Sequence, residues 1–138
     1  MPRTAPLACA AATVLALMPS AAAAAGGQLE GAEVWRNACA GCHGAEARGD
    51  GPLADLLLTP VPDLTGLTAR AGGTFPRWEV LQTVDGRTAP RAHGGPMPIF
   101  GELLRGDGVL TQGPDGSPLT VSARLLALID WLEAVQTP

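Results

Sequence analysis

Cys39-Ala40-Gly41-Cys42-His43 is the stretch on which the reading of this chain turns. Two cysteines three residues apart, followed at once by a histidine, make the attachment pattern for a covalent haem. On a helical turn, side chains at i and i+3 share a face, so both thiols can reach the two vinyl groups along one porphyrin edge and close thioether bonds. His43 then projects toward the iron, for which a neutral imidazole is a good ligand.

Two other chemistries use the same residue types. Zinc would need Cys39, Cys42, His43 and His93, the last two being the only histidines of the chain. Structural zinc sites pair a Cys-x2-Cys with a second closely spaced pair, whereas here Cys42 and His43 are adjacent and His93 is far downstream. A thioredoxin-like dithiol needs a preceding strand and opens a helix in a βαβ setting. The residues upstream are helical in pattern instead. Leu29, Ala32, Val34, Trp35 and Ala38 recur at near-helical steps, with Glu30, Glu33, Arg36 and Asn37 between them.

Further upstream, residues 1–25 read as an export signal. Arg3 stands near the start, an apolar run extends from Leu7 to Met18, and small residues follow from Ser20 to Ala25. Cys9 lies within the apolar run, with Pro6 where a lipidation signal would want Leu, so it reads as an apolar residue lost with the signal. Residues 26–138 then form one domain whose two cysteines both belong to the motif. The expected location is the periplasm, with no membrane attachment after cleavage.

The nine basic residues are all arginine, against thirteen acids, and losing Arg3 leaves a formal charge of minus five. Without lysine or a basic cluster the chain has no footprint for nucleic acid or for an anionic membrane surface. Electrostatic steering would have to use scattered arginines or an acidic face meeting a basic partner. No nucleophile stands beside a base, and the acids show no pairing, so nothing argues for an enzyme in its own right.

A haem iron has two axial positions, and Met97 is the one methionine outside the signal. It sits in Gly94-Gly95-Pro96-Met97-Pro98-Ile99-Phe100-Gly101, where prolines on both sides and flanking glycines predict an extended loop that presents one side chain. His93 competes for the same position from the same loop, and a gap-filling role in the core is the plain alternative for Met97. Methionine ligation would raise the reduction potential relative to a second histidine.

Four features together resemble a class I monohaem cytochrome c: Trp35 before the Cys-x2-Cys-His motif, Gly49-Asp50-Gly51-Pro52, Met97-Pro98-Ile99-Phe100-Gly101, and a closing amphipathic helix with Leu128 and Trp131. The resemblance covers the whole exported chain. It implies an all-α cytochrome c fold of about four helices around one covalent haem c, serving as a one-electron carrier between donor and acceptor proteins met as a monomer in brief complexes. A haem subunit of a periplasmic dehydrogenase, and a haem sensor or gas-binding protein with an open sixth site, are the other functions it admits. It also implies that the first and last helices cross, with Gly31 or Ala32 against Trp131. Pro52 would pack on His43 and accept a hydrogen bond from the far nitrogen of its ring, fixing the tautomer.

The residues themselves support the remaining elements. Val121, Leu125, Leu128, Ile129, Leu132 and Val135 recur at helical steps, with Thr120 or Ser122 as cap. Pro76 to about Val84 reads as a helix stopped by Gly86, with Trp78, Val80, Leu81 and Val84 walling the haem. Asp63 would cap a short helix reaching Ala71. Arg70, Arg77 and Arg87 are candidates for a haem propionate. Between Arg105 and Pro118 the glycines and prolines predict a surface loop or small hairpin.

Overall fold

The computed structural model describes residues 21–87 and 97–138, with side chains from residue 26 onward. The stretch read as an export signal, with Cys9, therefore lies outside the described residues, apart from the backbone of residues 21–25, and so does His93. Among the described residues there are five helices: α1 (Ala21–Ala38), α2 (Ala40–His43), α3 (Leu67–Arg70), α4 (Arg77–Asp85) and α5 (Ala123–Ala134). A 3-10 turn spans Ala54–Leu56, and a hairpin of β1 (Gly108–Gln112) and β2 (Pro118–Ser122) precedes α5. The fold is thus helical without being strictly all-α. Two of the five helices, α2 and α3, are single turns.

The crossing of α1 and α5 organises the core. Gly31 is buried at the crossing, where an added Cβ would meet the carbonyl of Ala127 and lie 2.7 Å from Cβ of Trp131. Only a hydrogen side chain allows the two backbones this approach. Of the two small residues expected there, Gly31 makes the contact. The inward face of α1 then continues through Val34 and Trp35 toward Cys39, one residue past its end. Leu29 is exposed, because it lies two residues, about 200° of helical rotation, from Gly31.

Trp35 stacks on Trp131, with ring centroids 4.8 Å apart. From α5, Leu125, Leu128, Ile129 and Leu132 complete the layer. Ser122 caps this helix by accepting the N–H of Leu125 at 3.1 Å, and its hydroxyl also donates to the carbonyl of Leu104. Arg77 joins α4 to α5 through Asp130 and through Glu133 at 2.9 Å.

The hairpin pairs antiparallel with Leu110 opposite Thr120. Its turn is closed by Gly113 and Ser117, and Asp115 accepts the N–H and hydroxyl of Ser117. Proline and glycine exclude helix here, while Val109 and Val121 suit strands. No helix among the described residues is long and apolar enough to cross a membrane.

Candidate haem site

The chain enters the site from α1. Cys39 donates its N–H to the carbonyl of Trp35 and receives the N–H groups of Cys42 and His43 at 3.1 and 3.0 Å, so one turn carries both thiols and the imidazole. Upstream of it runs a helix, not the strand a thioredoxin-type dithiol requires. No cluster of three or more His, Cys, Asp or Glu side chains able to hold a metal ion occurs among the described residues, and His93, the fourth ligand of the zinc alternative, lies outside them.

The stretch Gly49-Asp50-Gly51-Pro52 clamps this turn by its backbone. Gly49 donates to the carbonyl of His43 at 2.8 Å, Gly51 to that of Cys42 at 3.1 Å, and Leu53 to that of Gly41 at 2.9 Å. A Cβ on Gly51 would lie 2.6 Å from the carbonyl oxygen of Ala40. Gly51 is there because the two backbones touch, whereas Gly49 has φ +81° and lies against Val61 and Pro62. On the other side, Gly44 has φ +80° and offers its carbonyl to the indole N–H of Trp35 at 3.0 Å. The ligand turn is thereby tied directly to the α1–α5 core.

Both cysteines and His43 open onto one cavity of about 540 Å³. α1 contributes Trp35 and Ala38, α5 contributes Leu128 and Leu132, and α4 contributes Val80, Thr83 and Val84. The chain between the 3-10 turn and α3 supplies a further wall in Leu57, Pro60, Val61 and Pro62, and the loop before the hairpin supplies Met97, Pro98 and Phe100. Met97 is held there by its neighbours. Phe100 donates its N–H to the carbonyl of Val84 at 3.0 Å, and Gly101 lies against the backbone of Asp85.

Two expected residues stand elsewhere. Pro52 is exposed and outside the cavity lining, because the turn it belongs to is spent on backbone contacts with residues 41–43. Pro62 is the proline beside the ligand, its carbonyl close enough to His43 to act on the ring. Sequence reading missed it, although Thr59-Pro60-Val61-Pro62, an extended segment held by two prolines, was a visible signal. Trp78 packs against the hydrophobic core but does not line the cavity. On α4 the lining positions are 79, 80, 83 and 84, and Trp78 and Leu81 lie around the helix from them.

The three arginines considered for a propionate are engaged by protein groups. Arg70 donates to the carbonyl of Asp63 at 2.6 Å, Arg77 pairs with Asp130 and Glu133, and Arg87 pairs with Asp85. Asp63 does not cap α3, whose N-cap is Gly66. It accepts the N–H and hydroxyl of Thr65 at 2.8 and 2.7 Å, a turn that fixes the chain just after Pro62.

The electrostatics follow from burial. The thiol of Cys39 is pushed up to about 11, by desolvation first and by Cys42 second. Burial likewise lowers His43, partly offset by the Pro62 carbonyl, so the imidazole is held neutral and fit to bind a metal. Its Nδ1 is buried and makes no hydrogen bond.

These residues fit a haem. The cleft is lined mostly by apolar side chains, which would face water if nothing filled it. A large apolar group with a metal for His43 and reactive carbons for the two thiols would suit it.

Residues 28–103, more than half of the chain, match the protein family described as Cytochrome c. No curated protein and no solved structure matches the chain. The chain belongs to the cytochrome c family, whose members carry a covalently attached haem c and use it in electron transfer.

Proposed function

We propose that this protein is a periplasmic one-electron carrier whose single haem c hangs from Cys39 and Cys42, with His43 and Met97 as its axial ligands. The observation that carries the reading is that the two thiols, the imidazole and the thioether of Met97 all border one apolar cavity. Bound there, the haem supplies an iron that alternates between the ferrous and ferric states. The protein's part is to hold it still and dry. The Trp35 bond to Gly44 and the clamp from residues 49–53 position His43, while Pro98 and the Phe100 bond to Val84 restrain Met97. A site held rigid on both sides needs little rearrangement when the charge changes. Methionine opposite histidine favours the ferrous state and so a positive potential.

The periplasmic address rests on the signal pattern of residues 1–25. Electrons would be passed to and from redox proteins in brief encounters.

Met97→Ala tests the ligand set. The expected outcome is a lower potential, loss of the sulfur-to-iron absorption band of the oxidised protein and access of carbon monoxide to the reduced iron. An unchanged band and potential would refute the assignment. Wild-type protein should resist carbon monoxide near neutral pH, whereas a sensor with an open sixth site would bind it readily. Co-purification with a dehydrogenase would favour the subunit role.

A further inference from the structure

The leucines that follow the ligand clamp have no part in the core. Leu56 is 76% exposed and Leu58 fully so, and Leu53 and Leu57 are more than a third exposed. Four leucines in six residues are costly to leave in water unless something covers them. Their position is not incidental. Leu53 is bonded to Gly41 between the two cysteines, Leu57 lines the haem cavity, and Cys42 is half-buried where Cys39 is buried, so the Cys42 edge is the one that reaches the surface. Pro98 lines the same cavity, and its neighbour Ile99 is 53% exposed.

Acids stand closest to these leucines along the chain, with Arg48 the nearest base. Asp55 lies among the leucines, Asp50 precedes them, and Glu79 is the one carboxylate among the described lining residues. Arg77, Arg87 and Arg105 are each paired with carboxylates, and lysine is absent from the chain. Haem propionates would add further negative charge.

Building on the electron-carrier reading, we infer that residues 53–58, with Pro98 and Ile99, form the landing surface for a redox protein whose contact face is apolar and ringed by Lys or Arg. The leucines supply the desolvated centre, and the acids supply attraction and orientation. An anionic membrane is disfavoured by the same acids. The patch is small, as suits a complex that must part after one electron.

The test uses haem-loaded protein and, as probe, a small cytochrome with a lysine-ringed face, with electron exchange followed by stopped flow at several salt concentrations. Leu56→Ser with Leu58→Ser should slow exchange roughly tenfold, the equivalent of about one buried leucine. Leu110→Ser, in the hairpin, should not. The wild-type rate should fall with added salt, and Asp55→Asn should flatten that dependence. Reduction by a small uncharged quinol should be the same in wild type and the double variant, which shows that the haem itself is unaltered. Equal exchange rates in wild type and the double variant, or a rate that rises with salt, would overturn the inference. So would a dimer abolished by the double variant without change in exchange, or tight binding of the wild type to phosphatidylglycerol vesicles. If quinol-reduced wild type passed no electron to any acceptor, the carrier reading would fall as well.

Discussion

At the scale of the residue, the chemistry-bearing groups were legible wherever their meaning is local. Cys39, Cys42 and His43 lie within one turn, so spacing alone places them on one face. Met97 was reached by elimination and by its prolines, and it does border the cavity. Pro52 was read as the proline beside the ligand because it is the nearer one in sequence. Pro62 lines the cavity in its place, without a hydrogen bond to Nδ1, since which of two prolines reaches a histidine depends on the path of the chain between them. Pro52→Ala should therefore leave the haem spectrum and potential unchanged and cost at most about 1 kcal/mol, checked by redox titration and denaturant unfolding. Asp63 makes a different prediction. Its carboxyl is held below the usual carboxylate value by the Thr65 hydroxyl and then by the Thr65 N–H. The unfolded chain binds that proton more readily, so this contribution is present above the ordinary carboxylate range and is lost as pH falls through the lowered folded value. Asp63→Asn should lower stability near neutral pH and flatten its decline below about pH 4, measured as the unfolding midpoint across pH.

Elements were read well where period and end signals agreed. Pro76 and Gly86 bracket α4 as expected, the cap of α5 is Ser122, and the Gly- and Pro-rich stretch became a hairpin. What periodicity could not supply was the direction each face looks. α4 turns residues 79, 80, 83 and 84 to the cavity and Trp78 with Leu81 away from it, a rotation fixed by the packing of α4 on α5 through Arg77. The α1–α5 crossing was foreseen, and Gly31 proved to be the point of closest approach. Gly31→Val should push these helices apart, because its Cβ would sit against the Ala127 carbonyl and backbone cannot yield as a side-chain tip can. A loss of about 3 kcal/mol or more is expected, read from the denaturant midpoint of the haem absorbance, with covalent haem retained.

For the molecule as a whole, the haem is part of the core and not an addition to it. The space between α1, α4, α5 and the two loops has walls on several sides and apolar side chains facing inward. Replacing Cys39 and Cys42 together by Ala should leave protein that gives up its haem on denaturing extraction. Its haem-free form should lack a cooperative thermal transition and near-ultraviolet circular dichroism, because the apolar walls of the cleft would then face water. Retention of covalent haem by that variant would contradict the tether. A sharp transition in the haem-free form would show that the walls stand without it.

The order of residues by itself determined the family with its covalent haem, the one turn that carries Cys39, Cys42 and His43, and the helices that frame it, since each depends on contacts a few positions apart along the chain. The tertiary structure alone decided which proline lines the cavity beside His43, which small residue admits α5, which face of α4 borders the cavity, and that Leu56 and Leu58 stay uncovered near the Cys42 turn. Those outcomes depend on pairs of residues far apart in sequence, whose meeting is set by how the packed helices leave room for one another.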